Sequence, residues 1–547
     1  MTGVREAVST TVTFLGPDDP DHLDPAGLYT IRTGQLLRLV SRRLFGYPAA
    51  TECADATAAF VPTPDVATAE PTVANGGLSA DRRTYGFELR PGVLWDAQRA
   101  REVTAADFIR GLKRVAYSPS LRHYLTETIE GMREYCQAYD AARDDLPTGP
   151  DHAQFQASHQ VTGLSAPDPR TLVIRLVEPA NDFLHILATG IASAAPREYD
   201  YYVPDNYELY RNCPSAGPYR VAGPYRIGRG ALALGDEIAL EPNPRWDPDS
   251  DPIRRRTVDL IRVGPGTSGN GHGHDLAWPF GTVSWDAVGE AGQVSPVGHC
   301  FGPYLVVNLR GSRGAAPTSQ PSVRRAISDA LDRAAIRDVL TAAAPGATAT
   351  VQHGVLLPGA PGYAAVSGRR SGPDAVRRVL SDAGFPDGVT LTLVVRDTEV
   401  DRQIAAALRE NLAAYGIALD VLAVPAGRFT GTLRAPATSW ELALTSWVPQ
   451  WQGNNGRTAV VPLLRGDFGD QAAPGVANDG AYRNPVVDRL LAEALRTADP
   501  ADAAAVWRRV DEVVTEELPI IPILAHAYGP CTASAGAAPM VRWMPTT

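Results

Sequence analysis

Residues 80–108 read ADRRTYGFELRPGVLWDAQRAREVTAADF. Tyr85, Phe87 and Leu89 alternate with Gly86 and Glu88, the pattern of a half-buried strand. Pro91-Gly92 then marks a turn. Thr104 is placed to cap a helix that carries Phe108, Leu112 and Val115 on one face. A strand, a Pro-Gly turn, a lone Trp95 and a capped helix form a compact unit. It holds no nucleophile, metal-ligand set or phosphate loop, so it points to binding rather than bond-making.

Working outward, 547 residues predict two to four domains, each large enough for its own core. Apolar residues make up 44% and charged residues 20%, as in a soluble globular protein. A net charge of −10 disfavours nucleic-acid binding and mildly favours neutral or basic ligands, although an acidic excess of this size also serves solubility. Lys113 is the single lysine, and every other basic residue is arginine, a bias that fits a GC-rich genome. A P-loop lysine is thereby excluded, because the GLKRV around Lys113 is no such loop.

Cys53, Cys136, Cys213, Cys300 and Cys531 are too dispersed for a zinc or redox motif, and an odd count leaves at least one thiol free. One or two disulfides are compatible with the spacing, though a chain this long does not need them. No apolar run of about 18 residues predicts a membrane span. The opening MTGVREAVSTTVTFLGPDDP is not a signal peptide, so the expectation is either a leader absent from this chain or a cytosolic protein.

Strands are predicted at Thr10–Leu15, Arg170–Glu178, Glu237–Glu241 and Thr257–Val263, and helices at Gly34–Phe45 and Pro179–Ile191. Asp18–Pro25 and Asp144–His152 read as polar loops. Gly-Pro-Tyr-Arg occurs twice, at Gly217–Arg220 and Gly223–Arg226, too few copies for a repeat architecture. Pro265–His274 (PGTSGNGHGH) reads as a linker or loop. Beyond it, strands at Tyr304–Leu309, Val389–Val395, Ile417–Val424 and Ile520–Leu524 alternate with helices at Pro321–Leu340, Asp374–Ala383, Val400–Tyr415 and Ala501–Glu517, an α/β pattern.

The residues support no catalytic, metal or cofactor assignment. His272 and His274 sit among glycines with no Cys or carboxylate cluster nearby. His299 and Cys300, adjacent in a strand, point to opposite faces and would not cooperate. Neither G-x-S-x-G nor a complete G-x-G-x-x-G is present. The stretch Trp440–Asn455 (WELALTSWVPQWQGNN) differs in kind. Leu442, Leu444 and Ser446 predict a strand ending at Trp447, and the tryptophans at 440, 447 and 451 with the Gly/Asn loop suit the wall of a ligand cleft. The competing reading is an aromatic core cluster.

Eight segments in order carry a resemblance. They are Leu23-Asp24-Pro25, TYGFELRPGVLW with VTAADF, Ser215–Tyr219 (SAGPY), Glu241–Trp246 (EPNPRW), Val323–Arg333 (VRRAISDALDR), Val379–Phe385 (VLSDAGF), Asn484–Leu491 and Leu518–Ile523. Together they resemble the extracellular solute-binding proteins that serve ABC importers of oligopeptides and dipeptides, over nearly the whole chain. More weakly, they resemble the oligopeptide-binding type associated with clavulanic acid biosynthesis.

The resemblance implies an α/β, two-lobed periplasmic-binding-protein-like fold of the peptide-binding type, with an extra inserted domain and an interlobe ligand cleft that closes by hinge motion. Residues 1–45, 163–264 and 501–547 would form the first lobe, 46–162 the inserted domain and 265–500 the second lobe. A peptide would pair its backbone with strand edges near Arg43–Tyr47 and Thr445–Gln450, and hydrated pockets would tolerate many side chains. The implied ligand-binding residues are Leu44, Phe45, Gly46, Ser446, Trp447, Val448, Gln450 and Trp451, with Trp447 and Trp451 as walls.

The chain also departs from the family. Peptide binders commonly carry Trp-x-x-Asp-Tyr, whose Asp holds the peptide's ammonium, whereas this chain reads Trp447-Val448-Pro449-Gln450-Trp451. A neutral amide gives up most of a charge-assisted contact, and Pro449 removes a backbone donor. The Glu usual after Leu-Phe is absent at Gly46, and Trp95 stands farther from Val103 than in the family. Asp18, Asp21 or Asp96 is a replacement acid to consider.

The leading expectation is a non-catalytic, monomeric binding protein for oligopeptides, including Arg-containing or basic ones, with a membrane ABC permease as partner, no nucleic acid and no cofactor. It would be extracellular and membrane-associated through a leader or lipid anchor absent from this chain, or cytoplasmic if no leader exists. The alternative is the same fold recruited to antibiotic biosynthesis of the clavulanic acid kind, as in arginine-rich actinobacterial chains, binding or processing a small non-peptide or arginine-derived ligand. An enzyme on this scaffold has no catalytic constellation to support it.

Overall fold

The computed structural model describes residues 11–16, 24–27, 31–48, 58–118, 121–204, 214–222, 238–256, 258–265, 276–277, 293–294, 298–310, 316–343, 348–435, 439–470, 476–528 and 531–532. Asp18, Asp21, Cys53, Cys213, His272, His274 and the second Gly-Pro-Tyr-Arg copy lie outside them. The chain forms two compact units, Met1–Val297 with Gly529–Thr547, and Gly298–Tyr528.

The first unit contains strands β1 (Thr11–Gly16), β2 (Phe45–Gly46), β3 (Thr63–Pro64), β4 (Thr84–Glu88), β5 (Leu94–Trp95), β6 (Arg101–Glu102), β7 (Leu164–Asp168), β8 (Thr171–Arg175), β9 (Tyr219–Ala222), β10 (Ile238–Pro242), β11 (Leu260–Pro265), β12 (Leu276–Ala277) and β13 (Gln293–Val294). In its main sheet β1 runs parallel to β11 and β12, and β9 and β10 extend it on the far side of β11. The second unit contains β14 (Gly298–Val307), β15 (Ala349–Val351), β16 (Val389–Arg396), β17 (Ile417–Val424), β18 (Leu442–Trp447), β19 (Ile520–Pro522) and β20 (Leu524–Tyr528). Strand β21 (Cys531–Thr532) then returns to the first unit, pairing with β12 and β13.

The opening stretch folds as its pattern predicts. β4 pairs antiparallel with β8, setting Tyr85 opposite Ile174 and Phe87 opposite Leu172, all four buried. Asp107 ties the rest together. Its Oδ2 accepts from Trp95 Nε1 (3.1 Å), Arg101 Nη1 (2.9 Å) and the backbone N–H of Thr104 (3.0 Å). The last bond is half of a capping box at the start of helix Ala105–Arg114. That helix ends in two buried cations. Lys113 Nζ donates to Gln156 O and lies 5.1 Å from the Tyr135 ring centroid. Arg114 donates to Asp24 and lies 4.9 Å from the rings of both Tyr117 and Tyr199. Asp24 of Leu-Asp-Pro also accepts from Ala26 N, which accounts for that segment.

Two other quoted segments meet at Ser215 and Asn243. Asn243 Nδ2 donates to the carbonyls of Ser215 (3.2 Å) and Gly217 (2.9 Å), and Ser215 Oγ lies 2.7 Å from Val40 O. Gly217 packs so tightly there that a Cβ would fall 2.4 Å from Leu39 O.

Several boundaries differ from the sequence reading. The sheet of β4, β8 and β7 crosses the expected domain edge at 162, because β8 is the pairing partner of β4. The expected division at 265 falls instead after Val297. Helix Pro500–Glu517 and strands β19 and β20, expected in the first lobe with the rest of 501–547, lie in the second unit, where both strands pair with β14. The helix expected over Pro321–Leu340 breaks at Leu331 into Pro321–Ala330 and Arg333–Ala343, since Asp332 Oδ1 accepts from Ala335 N and starts the second piece. The helix expected over Pro179–Ile191 is shorter, Phe183–Ala188 with a 3-10 turn after it.

Candidate functional site

The second unit's sheet has the order β15-β20-β14-β18-β16-β17, with β16 parallel to both β17 and β18. Its two faces bury separate cores. Leu442 and Leu444 lie in one with Leu391 and Leu393, whereas Ala443 lies in the other with Val394, Phe301 and Trp440. Alternation therefore sends Thr445 and Trp447 to the face of Ala443, and Ser446 to the face of Leu444.

At its outer end β18 is paired on one side only. β14 follows it to Trp447, opposite Phe301, but pairing with β16 stops at Ala443. Ser446 is exposed, and Trp447, Val448 and Gln450 are half-buried. The backbone amides of Val448 and Gln450, and the Gln450 carboxamide, make no hydrogen bond among the described residues. Pro449 between them has no N–H to offer.

The three tryptophans divide by role. Trp447 Nε1 donates to Thr458 O (2.6 Å), which fixes the indole while part of it stays exposed. Trp440 and Trp451 are 1% and 0% exposed and belong to the interior, the reading set against a cleft wall. Trp451 Nε1 donates to Asn454 O (2.8 Å) and so braces the loop beneath the strand end.

Beneath Ser446 runs the bulged part of β14. Gly302 has φ +141, and a Cβ there would fall 2.5 Å from Ser446 Cβ. Its carbonyl lies 2.8 Å from His526 Nδ1. The Cys300 thiol is buried beside Ser446, and burial pushes it up to about 12, so it is a protonated packing group rather than a nucleophile. His299 and Cys300 lie next to each other in β14, where alternation separates their side chains. Cys136, like Cys300, is free and buried.

Arg396 was not singled out from the sequence, where it reads only as the last residue of a strand. It shares the Trp447 face. Its Nη2 donates to Thr445 Oγ1 (2.8 Å), its Nη1 lies 3.6 Å from Asp401, and the guanidinium covers the Phe429 ring at 4.3 Å while remaining partly exposed.

Leu44, Phe45 and Gly46 lie in the first unit. The helix before them, Ile31–Val40, ends early, because Arg42 and Arg43 are drawn to Asp65. Leu44 and Phe45 are fully buried, so their side chains are closed to solvent. Behind them sits a closed ion cluster. Arg42 and Arg254 contact Asp65 at 2.7 and 2.8 Å and Asp251 at 3.6 and 3.2 Å, and all four side chains are at most 1% exposed. The two guanidinium groups hold the Asp251 carboxyl well below the usual range against the opposing effect of burial. Asp96 is engaged by Arg220 at 3.2 Å. Among the described residues, no group of three His, Cys, Asp or Glu is arranged to hold a metal ion, and no helix is long and apolar enough to cross a membrane.

A family model described as bacterial extracellular solute-binding proteins, family 5 Middle, matches residues 61–459. The chain belongs to that family. This family 5 protein is 27% identical over 214 residues to the glutathione-binding protein GsiB of Shigella dysenteriae serotype 1 (strain Sd197), a match covering 38% of the chain and 40% of that relative. GsiB of Escherichia coli (strain K12) matches to the same extent, so the family 5 chain spans about two-fifths of these curated relatives. Solved structures match it almost end to end. The clavulanic acid biosynthesis oligopeptide binding protein 2 gives a TM-score of 0.73 at 24% identity, covering 95% of this chain and 92% of that one. The periplasmic binding protein DppA from Helicobacter pylori, in complex with the peptide STSA, gives 0.67 at 18%, covering 96% and 94%. The fold is thus periplasmic-binding-protein-like, of the peptide-binding type.

Proposed function

We propose that this family 5 protein binds oligopeptides and delivers them to a membrane ABC permease. The observation that carries this reading is the end of β18, a strand edge left open beyond Ala443 with a fixed, partly exposed Trp447 beside it. A peptide adding there gains main-chain hydrogen bonds without its side chains being read, and Trp447 supplies apolar area at little entropic cost. Ser446, Val448 and Gln450 contribute polar contacts, and Trp451 supports them from below. Arg396 suits an anionic ligand group on the Trp447 face. Basic and Arg-containing peptides suit the net charge of −10. The protein works as a monomer outside the cytoplasm.

Isothermal calorimetry and thermal shift with a mixed peptide library test the reading. Heat release with a raised Tm supports it, and silence in both sinks it.

The likeness to the clavulanic acid biosynthesis protein, along 95% of the chain, favours a second reading in which the same fold serves antibiotic biosynthesis. Native mass spectrometry of freshly purified protein separates the two. A co-purifying peptide supports import, whereas a small non-peptide or arginine-derived ligand supports the second reading.

A further inference from the structure

We infer that the segment Val448–Gln450 receives an oxygen-bearing, acceptor-only end of the ligand, so that recognition does not depend on a free peptide ammonium. The inference rests on the peptide-binding reading above and specifies its chemistry. Val448 and Gln450 each present a backbone N–H without a partner among the described residues, and the Gln450 carboxamide is equally unengaged. The residues that carry them are half-buried, and a ligand that displaces water there gains by supplying acceptors to these donors.

An ammonium has three donors and no acceptor. It would face two N–H groups of its own kind. The stretch Ser446–Gln452 has no carboxylate to receive it. Glutamine offers a carbonyl oxygen, but a neutral acceptor returns only part of what a desolvated cation loses. On the Trp447 face, the guanidinium of Arg396 is held by Thr445 and lies 3.6 Å from Asp401, so the carboxylate on that face already faces a cation. Carbonyl and carboxylate oxygens meet the N–H donors of Val448 and Gln450 favourably. Such an oxygen comes either from an acyl group blocking the N-terminus or from the C-terminal carboxylate.

The test uses the full chain and three randomised tri- to pentapeptide libraries: free amine with free acid, N-acetyl with free acid, and N-acetyl with C-terminal amide. Retained peptides are counted by native mass spectrometry. Acetylated acids retained as well as, or better than, free-amine acids support the inference. Within that result, loss on amidation assigns the carboxylate as the oxygen source, and indifference assigns the acyl group. Free-amine peptides enriched about tenfold over acetylated ones would overturn the inference and leave peptide binding intact. Retention of none of the three libraries would overturn peptide binding and the inference with it.

A second arm uses Gln450→Asp, with the fold checked by circular dichroism. The new carboxylate is expected to shift the preference toward free amines by about tenfold or more, the scale of a hydrogen bond to a charged group. An unchanged preference would show that the ligand end lies elsewhere.

Discussion

The indole N–H of Trp95 donates to Asp107 Oδ2 at 3.1 Å, joining the strand side of the 80–108 unit to the first turn of its helix. The same carboxylate closes the helix cap and pairs with Arg101, so one buried side chain organises three neighbours. Trp95→Phe removes the donor and replaces the indole with a smaller phenyl ring. It is expected to cost about 1–3 kcal/mol, read as a lower urea midpoint with unchanged slope. Asp107→Ala removes the acceptor shared by Trp95, Arg101 and Thr104 and is expected to cost more than Trp95→Phe.

The Arg42, Asp65, Arg254 and Asp251 cluster is sealed from water, so removing one member strands its partners. Asp65→Ala is expected to destabilise by about 3–5 kcal/mol. Burial also keeps mobile ions out, and the loss should be nearly the same at low and high salt in paired denaturant titrations. A loss that vanished at high salt would contradict the sealed geometry.

His185 is buried with Nδ1 2.7 Å from the Tyr47 hydroxyl, and burial depresses its pKa from 6.5 to about 4. The unfolded chain therefore binds the extra proton first. Stability from this group is complete above about pH 6.5 and is lost as the pH falls toward 4, on the order of 3 kcal/mol in all. His185→Gln should flatten that slope in urea titrations at pH 7.5, 6 and 4.5.

Trp447 and Trp451 should separate binding from folding. Trp447→Ala, at a half-buried site, is expected to weaken peptide binding by tenfold or more, a factor equal to about 1.4 kcal/mol, with a small change in Tm. Trp451→Ala empties a fully buried site and is expected to cost about 3–5 kcal/mol of stability. Calorimetry beside thermal denaturation of both variants checks the split.

Gly302→Ala places a methyl 2.5 Å from Ser446 Cβ, at a φ of +141 that side-chain-bearing residues avoid. The end of β18 must then shift away from β14. The expected outcome is weaker ligand binding together with a lower Tm, whereas Gly427→Ala, at a position where nothing would meet the added methyl, should change neither.

Much of the fold was legible because strands and helices repeat apolar residues at different intervals, as in Tyr85-Phe87 and Val323-Ile327. Domain membership was less so. Helix Pro500–Glu517 looks the same in sequence whichever unit it packs against, and only the pairing of β19 with β14 decides. At the candidate site the sequence located the strand end and its tryptophans but could not rank them. Whether an indole is buried depends on distant partners such as Asn454 for Trp451 and Thr458 for Trp447. Arg396 was invisible for a similar reason, since it meets Thr445 only through the parallel pairing of β16 with β18. Leu44 and Phe45 matched a helical spacing, but the buried Asp65 pulled the chain out of the helix before reaching them.

Lys113, the chain's one lysine, lies 4% exposed against Tyr135, with burial lowering its pKa to about 8. Every other cationic side chain is a guanidinium or an imidazole, so an amine-selective acylating dye finds no ready lysine on the folded surface. The rate at which such a dye reaches Lys113 becomes a clock for local opening of the helix Ala105–Arg114, and mass spectrometry can read it one site at a time, in the presence or absence of peptide.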